Sequence, residues 1–184
     1  KKNASSTKAF SIWARSSKSK LNRERIVLAT TNSGKFREIK ELLRDLPVEI
    51  LSLIDLGIHE DVEEKGSTFL ENARLKSLAC SLKSGFLTLA EDSGLEVDYL
   101  GGKPGIYSAR FSAPGASDER NIRKVLRLMQ GVPWKRRQAR FVCCVVLSRK
   151  GEVVKETTGR VRGYIAREKK GSQGFGYDPI FFYP

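Results

Sequence analysis

The sequence predicts an α/β protein built around a mixed sheet. Between residues 26 and 100, short apolar runs alternate with segments of helical period, the pattern that feeds neighbouring parallel strands. From residue 138 onward, two long strand-like runs meet at a glycine, the pattern of an antiparallel hairpin. No internal repeat interrupts this organisation.

The ordered chain is expected to open on IVLAT (26–30), a short apolar strand. TNSGK (31–35) leads into FREIKELLRDL (36–46), where Phe36, Ile39, Leu42, Leu43 and Leu46 share a helical face and Pro47 stops the helix. VEILSLIDL (48–56) reads as a strand running into a turn, and the acidic HEDVEEKGS (59–67) as a polar segment. Thr68, with Glu71 three residues later, forms a capping box for the helix FLENARLKSLACSL (69–82). Its inward stripe is Phe69, Ala73, Lys76 or Ser77, and Cys80; Gly85 ends it. FLTLAED (86–92) is a strand ending in two carboxylates, after which Ser93-Gly94 is expected to turn the chain back into LEVDYL (95–100). GGKPG (101–105) is a connection, and 117–129 a helix capped by Ser117. QARFVCCVVLSRK (138–150) and EVVKETTGRVRGYIA (152–166) make the hairpin, joined near Gly151. A glycine-rich loop, KKGSQGFGYD (169–178), then precedes a last strand, PIFFYP (179–184).

At 184 residues, 40% of them hydrophobic, the chain supports one substantial core and at most two small lobes. Its apolar runs are too short for a membrane-spanning helix, so no membrane partner is expected. Cys80, Cys143 and Cys144 lack CxxC spacing, and His59 is the only histidine. This argues against a zinc site and for buried thiols in a reducing, cytoplasmic compartment. Of the net charge of +13, residues 1–25 carry +7, with eight Lys/Arg against one acid, and the remainder +6. Residues 1–25, rich in Ser and Lys, read as a basic disordered arm; a nucleic-acid contact or a targeting remnant are the other readings. The +6 of the domain at 26–184 suits attraction of a small polyanion, and no specific nucleic-acid partner is required.

Three segments carry chemistry. In TTNSGKF (30–36), a strand ends in a small-residue turn and enters a helix, whose N-terminal N–H groups, with Lys35, make an anion site. It is not a Walker loop, because Thr30 and Thr31 stand where glycine belongs and Phe36 follows the lysine. In EDSG (91–94), two acids beside a phosphate site require a divalent cation between them, and hard oxygen ligands suit Mg²⁺. Glu60, Asp61, Glu63, Glu64 and Glu71 are the other acids available in sequence. In GSQGFGYDP (171–179), the glycines permit close backbone approach, and Phe175 and Tyr177 are candidates for stacking on a base. Asp178 is a candidate to hold a base edge, a sugar or a structural hydrogen bond. GGKPGIYSARFS (101–112) adds Arg110, a partner for phosphate or for Glu91 and Asp92. Lys135-Arg136-Arg137 reads as solvated surface, and Trp134 as a loop or oligomer contact.

Taken together, TTNSGK, the threonine-capped FLENA, LAEDSGL, GGKPGIYSARF and GFGYDPIF, in that order, resemble the inosine triphosphate pyrophosphatase family. The resemblance runs from Ile26 to Pro184. It implies a long central mixed sheet with flanking helices, two lobes around a substrate cleft, and a homodimer. It implies hydrolysis of ITP, dITP and XTP to the monophosphate and pyrophosphate, by Mg²⁺-assisted attack of water at the α-phosphorus. By similarity, Thr30, Thr31, Asn32, Ser33, Gly34 and Lys35 hold the phosphates, and Glu63, Glu91 and Asp92 hold Mg²⁺. Asp92 resembles the proton acceptor and Ser93 a substrate contact. Phe175, Gly176, Tyr177 and Asp178 resemble the base- and sugar-binding segment, with Phe175 over the purine.

Two departures stand beside this likeness. The family usually has glycine where Thr31 stands. It also continues past the FFYP strand to a lysine and a Ser-His-Arg segment that reads the 6-keto purine; these 184 residues are expected to lack that end. Two further readings remain at this stage: a related pyrophosphatase for modified pyrimidine or methylated nucleotides, and a basic nucleic-acid-binding module without hydrolysis.

Overall fold

A computed structural model describes residues 23–59, 62–171 and 174–184. The arm thus lies, through residue 22, outside the described residues. The described strands are β1 (Glu24–Leu28), β2 (Val48–Ser52), β3 (Leu87–Val97), β4 (Gln138–Arg149), β5 (Glu152–Ile165) and β6 (Phe181–Phe182). They form one mixed sheet in the order β2-β1-β3-β4-β5-β6. β1 runs parallel to β2 and β3, whereas β3–β4, β4–β5 and β5–β6 are antiparallel. Three helices accompany it: α1 (Ser33–Leu42), α2 (Phe69–Ser84) and α3 (Asp118–Leu128).

Local chemistry sets the ends of these helices. Thr68 Oγ1 accepts from Glu71 N–H to open α2, and Gly85 closes it at φ 73°, the left-handed conformation that glycine adopts freely. The carboxylate of Glu71 returns to Ser67, taking its N–H and its hydroxyl, so the reciprocal half of the box is displaced by one residue. Ser117 caps α3 through Arg120 N–H. Helix α1 starts three residues earlier than its apolar pattern indicates, because Asn32 caps it and recruits Ser33–Lys35 into the first turn. Its apolar stripe is not buried: Leu42 is 81% exposed, and Ile39, Leu42 and Leu43 face a cavity.

The largest departure from the sequence reading is at Ser93-Gly94. No turn forms there. Leu87–Val97 is one unbroken strand whose partner, β4, pairs with it from Thr88↔Ser148 to Val97↔Ala139. Ser93-Gly94 is small because another element approaches, not because the chain reverses. A Cβ on Gly94 would stand 2.3 Å from Ser108 Oγ and 2.8 Å from Gly105 O. Both atoms belong to a 3-10 helix, Gly105–Arg110, pinned there by Leu95 N–H donating to Ser108 Oγ at 2.9 Å.

Because β3 is continuous, it joins two cores. Val27, Ala29, Cys80 and Ala90 pack at one end; Leu95, Val97, Ile122, Val125, Met129 and Ile180 pack at the other. Phe69, Ala73, Val142, Cys144 and Val146 fill the space between α2 and β4. Helix α2 is also fastened by a buried polar seam, in which Ser77 Oγ meets Ser148 Oγ at 2.6 Å and bonds the carbonyls of Thr88 and Val146.

Lys135-Arg136-Arg137 is corrected in part. Arg137 is 3% exposed, and its guanidinium donates to the carbonyls of Ile165, Met129, Val132 and Ala166, tying the end of α3 to β5. Five N–H donors in a fixed fork make arginine the side chain that can satisfy so many carbonyls at once. Trp134 stacks on Tyr164 and meets Phe182 edge-on.

Gly94→Ala is expected to destabilise the protein by about 1–3 kcal/mol, the range for overpacking a filled interior, as read by urea unfolding.

Candidate active site

The site lies where β3 passes between the two cores. Glu91 and Asp92 occupy its middle, 4% and 7% exposed. Adjacent strand residues project to opposite faces, so the two acids meet different neighbours. Glu91 faces the start of α1: Lys35 Nζ donates to its Oε2 at 3.0 Å. Its Oε1 lies 2.8 Å from the same nitrogen as an ion-pair contact and is a buried acceptor with no hydrogen-bond donor other than that ammonium. Asp92 faces α2: its Oδ2 accepts from Asn72 Nδ2 at 3.1 Å, its Oδ1 from Ser93 N–H at 3.0 Å, and Lys76 Nζ stands 3.8 Å away.

Burial is the main influence on Asp92 and pushes its carboxyl above the ordinary range, with Glu64 adding to it and Lys76, Asn72 and Lys35 opposing it. Glu64 differs. Burial works against its charge, but the hydrogen bond and charge of Lys76, then those of Arg110, hold it below the usual range. Lys76 Nζ is 2.8 Å from Glu64 Oε1, and Arg110 Nη1 is 3.4 Å from Oε2. Glu63, the acid singled out from sequence, is not in this constellation. Its side chain is 74% exposed and paired with Lys65, whereas Glu64 lines the cleft. Of these two adjacent acids, the structure turns Glu64 toward the cleft and Glu63 toward solvent. Glu60 and Asp61 lie outside the described residues.

The loop at 30–35 is more self-contained than a row of free amides. Asn32 Oδ1 accepts from Gly34 N–H at 2.9 Å and from Lys35 N–H at 3.1 Å, and Asn32 N–H donates to Thr30 Oγ1. Thr30, Thr31, Asn32 and Lys35 line a cleft of about 580 Å³ together with Glu64, Lys76, Glu91, Asp92, Ser93 and Arg110. Ser33 and Gly34 lie behind that lining; a Cβ on Gly34 would be 3.3 Å from the Phe175 ring. On the other side of Lys35 and Glu91, a second cavity of about 540 Å³ is lined by Leu89, Phe141, Val142, Cys143 and the segment Phe175–Asp178. The two cavities share Asn32, Lys35, Glu91, Ser93 and Ala109, so a cleft rich in charged side chains adjoins a mainly apolar one across the Lys35–Glu91 pair.

Within the last segment, the side chains divide their work. Asp178 Oδ2 accepts from Phe175 N–H at 3.0 Å and closes the turn, while Gly176 N–H donates to Asp118 Oδ2 at 2.8 Å. Tyr177 is 4% exposed and its hydroxyl donates to Ser108 O at 2.9 Å, so its ring serves as floor. Burial, reinforced by Glu91, pushes the Cys143 thiol up to about 11, which removes it as a nucleophile at neutral pH.

Asn72, Lys76 and Asp118 were not singled out by sequence. A signal existed for two of them: Asn72 and Lys76 stand four apart beside the inward stripe of α2, where polar residues need a partner. Asp118 reads as an ordinary acid in a first helical turn, and only the fold brings it to Gly176.

A divalent cation fits this donor set. Glu91 keeps a buried oxygen without a hydrogen bond, and Glu64 and Asp92 are close enough to repel. Among the described residues, no three carboxylate, thiol or imidazole groups already stand together as a metal cage.

A mixed sheet carrying an anion loop, facing acids and an adjoining apolar cavity defines an α/β nucleotide-handling protein. The comparisons narrow the class. The model of the Ham1 family matches residues 26–184. A dITP/XTP pyrophosphatase from Bacillus licheniformis is 44% identical over 156 residues, 85% of this chain and 80% of the relative. One from Escherichia coli K12 is 47% identical over 163 residues, 88% of this chain and 82% of the relative. The solved Staphylococcus aureus Ham1 protein superposes with a TM-score of 0.76 at 44% identity, covering 88% of this chain and 82% of that one. The chain belongs to the Ham1 family.

A pH prediction follows from Asp92. A carboxyl whose native pKa is raised contributes stability at low pH that is lost as pH rises through that pKa. Relative to wild type, Asp92→Asn is therefore expected to gain stability as pH rises from about 4 to about 8, measured as the difference in urea midpoints without divalent ions.

Proposed function

We propose that this chain hydrolyses non-standard purine nucleoside triphosphates, ITP, dITP and XTP, to the monophosphate and pyrophosphate. The observation that carries the reading is the adjacency of the two cavities on either side of Lys35 and Glu91. A triphosphate needs cations and a hard metal; a purine needs an apolar slot with an aromatic wall. One ligand spanning both compartments meets both needs.

In this reading Lys35, with Thr30, Thr31 and Asn32, binds the triphosphate, and Lys76 and Arg110 offer further positive charge across the cleft. Ser33 opens the helix, and Gly34 leaves room for Phe175 to close over the loop. Glu64, Glu91 and Asp92 would hold Mg²⁺, which when bound would offset the phosphate charge and acidify the attacking water. Asp92, with its raised proton affinity, is the base. The water oxygen bonds to the α-phosphorus, and the bond from that phosphorus to the bridging oxygen breaks. Pyrophosphate departs with that oxygen, and Asp92 receives the proton. Ser93 and the Phe175–Asp178 segment orient the sugar and base, with Phe175 against the purine. A cytoplasmic homodimer belongs to the same reading; the thiols of Cys80, Cys143 and Cys144 are all free. No helix among the described residues is long and apolar enough to cross a membrane.

Pyrophosphate release with Mg²⁺ from ITP, XTP, ATP and GTP at equal concentration tests the proposal. ITP and XTP should be cleaved well ahead of ATP and GTP, and Asp92→Asn should lose at least about 100-fold in kcat, as when a general base is removed. Silence on all four nucleotides, or wild-type turnover by Asp92→Asn, would defeat it.

The two neighbouring acids give a sharper comparison. Glu64→Gln is expected to lower turnover and to raise the Mg²⁺ concentration needed for half-maximal rate, while Glu63→Gln stays within about twofold of wild type, as for an exposed pair. The reverse pattern would return the metal role to Glu63.

A further inference from the structure

Asn72 has no exposed surface, and both ends of its carboxamide are engaged. Its Oδ1 accepts from Gly66 N–H at 2.8 Å, and its Nδ2 donates to Asp92 Oδ2 at 3.1 Å. A backbone N–H can only donate, so the amide oxygen must face Gly66 and the NH₂ must face Asp92. That orientation delivers a donor to the carboxylate and no added charge. Gly66 lies two residues beyond Glu64, on the loop that brings Glu64 to the cleft. The side chain is therefore a strut from the acid loop, through the first turn of α2, to the acid of β3.

The strut has no slack. A Cβ on Gly66 would stand 2.6 Å from Asn72 Oδ1 and 2.9 Å from Asn72 N, so the loop meets the helix at contact distance. It also opposes a definite force. Glu64 and Asp92 repel each other, and the cation between them, Lys76 Nζ, is 2.8 Å from one and 3.8 Å from the other. Lysine neutralises but, with a flexible stem, does not set a separation. A planar amide locked at both ends does.

We propose that Asn72 is a positioning residue that fixes the separation of the Glu64 loop from Asp92, and through it the affinity of the site for a divalent cation. This rests on the cation reading given above. Partners that orient ligands in this way are typically worth about 10–100-fold in metal affinity.

The test is a Mn²⁺ titration of the full chain, followed by the electron paramagnetic resonance signal of the free ion, with an α,β-methylene analogue of ITP present so that no turnover is needed. Asn72→Ala is expected to weaken Mn²⁺ binding by about tenfold or more and to raise the Mg²⁺ requirement of the reaction without a matching rise in nucleotide KM. Gly66→Ala, which keeps every carboxylate and Asn72 itself, is expected to shift both readings in the same direction. It carries the test if Asn72→Ala does not fold, as judged by thermal melting. Wild-type Mn²⁺ affinity in either folded variant would overturn the proposal. Wild-type protein that binds Mn²⁺ yet releases no pyrophosphate would instead defeat the substrate assignment alone.

Discussion

Two adjacent carboxylates in the middle of a strand of eleven residues impose most of the order seen around them. Removing a carboxylate from water costs several kcal/mol even after relaxation, and here both Glu91 and Asp92 are buried. Because they leave the strand on opposite sides, each is met by its own side-chain partner. Lys35 at the start of α1 answers Glu91, and Asn72 with Lys76 on α2 answers Asp92. The placement of the two helices and the placement of the two acids are thus one arrangement. Arg110 enters one step further out, through Glu64, and brings the 3-10 helix beside β3 into the same electrostatic set.

That balance is left incomplete on the cleft side. Glu91 Oε1 has only the Lys35 ammonium beside it, and burial, with Glu64 adding to it, raises the proton affinity of Asp92. A surface selected only for stability would pair these groups fully; an open donor set beside cations is what a metal-bound triphosphate would complete. Burial, reinforced by Glu91, pushes the Cys143 thiol in the same neighbourhood up to about 11, out of the range of a thiolate at neutral pH.

Close approach couples the compartments. The Phe175 ring rests over Gly34, so the 175–178 segment touches the 30–35 loop directly. The Gly176 amide is held by Asp118 at the start of α3, and the Tyr177 hydroxyl by Ser108 of the 3-10 helix. Gly94 lets that helix lie against β3, within reach of both cores.

The sequence by itself determined most of the elements and their order. Helices with strong caps, at Thr68 and Ser117, and the hairpin joined near Gly151 needed only local information, since capping and period-two alternation act over a few residues. Five ordered motifs were enough to place the chain among its relatives. What local pattern could not decide was which small residue makes a turn and which makes room: Ser93-Gly94 looks the same in either role until Ser108 arrives from across the cleft. Nor could it tell Glu63 from Glu64, because only Lys76 and Arg110 mark the inner face. Arg137 reads as one more surface cation until four carbonyls from distant elements converge on it. These were decided by tertiary structure because burial and charge pairing depend on neighbours remote in sequence, and that is where the site's chemistry resides.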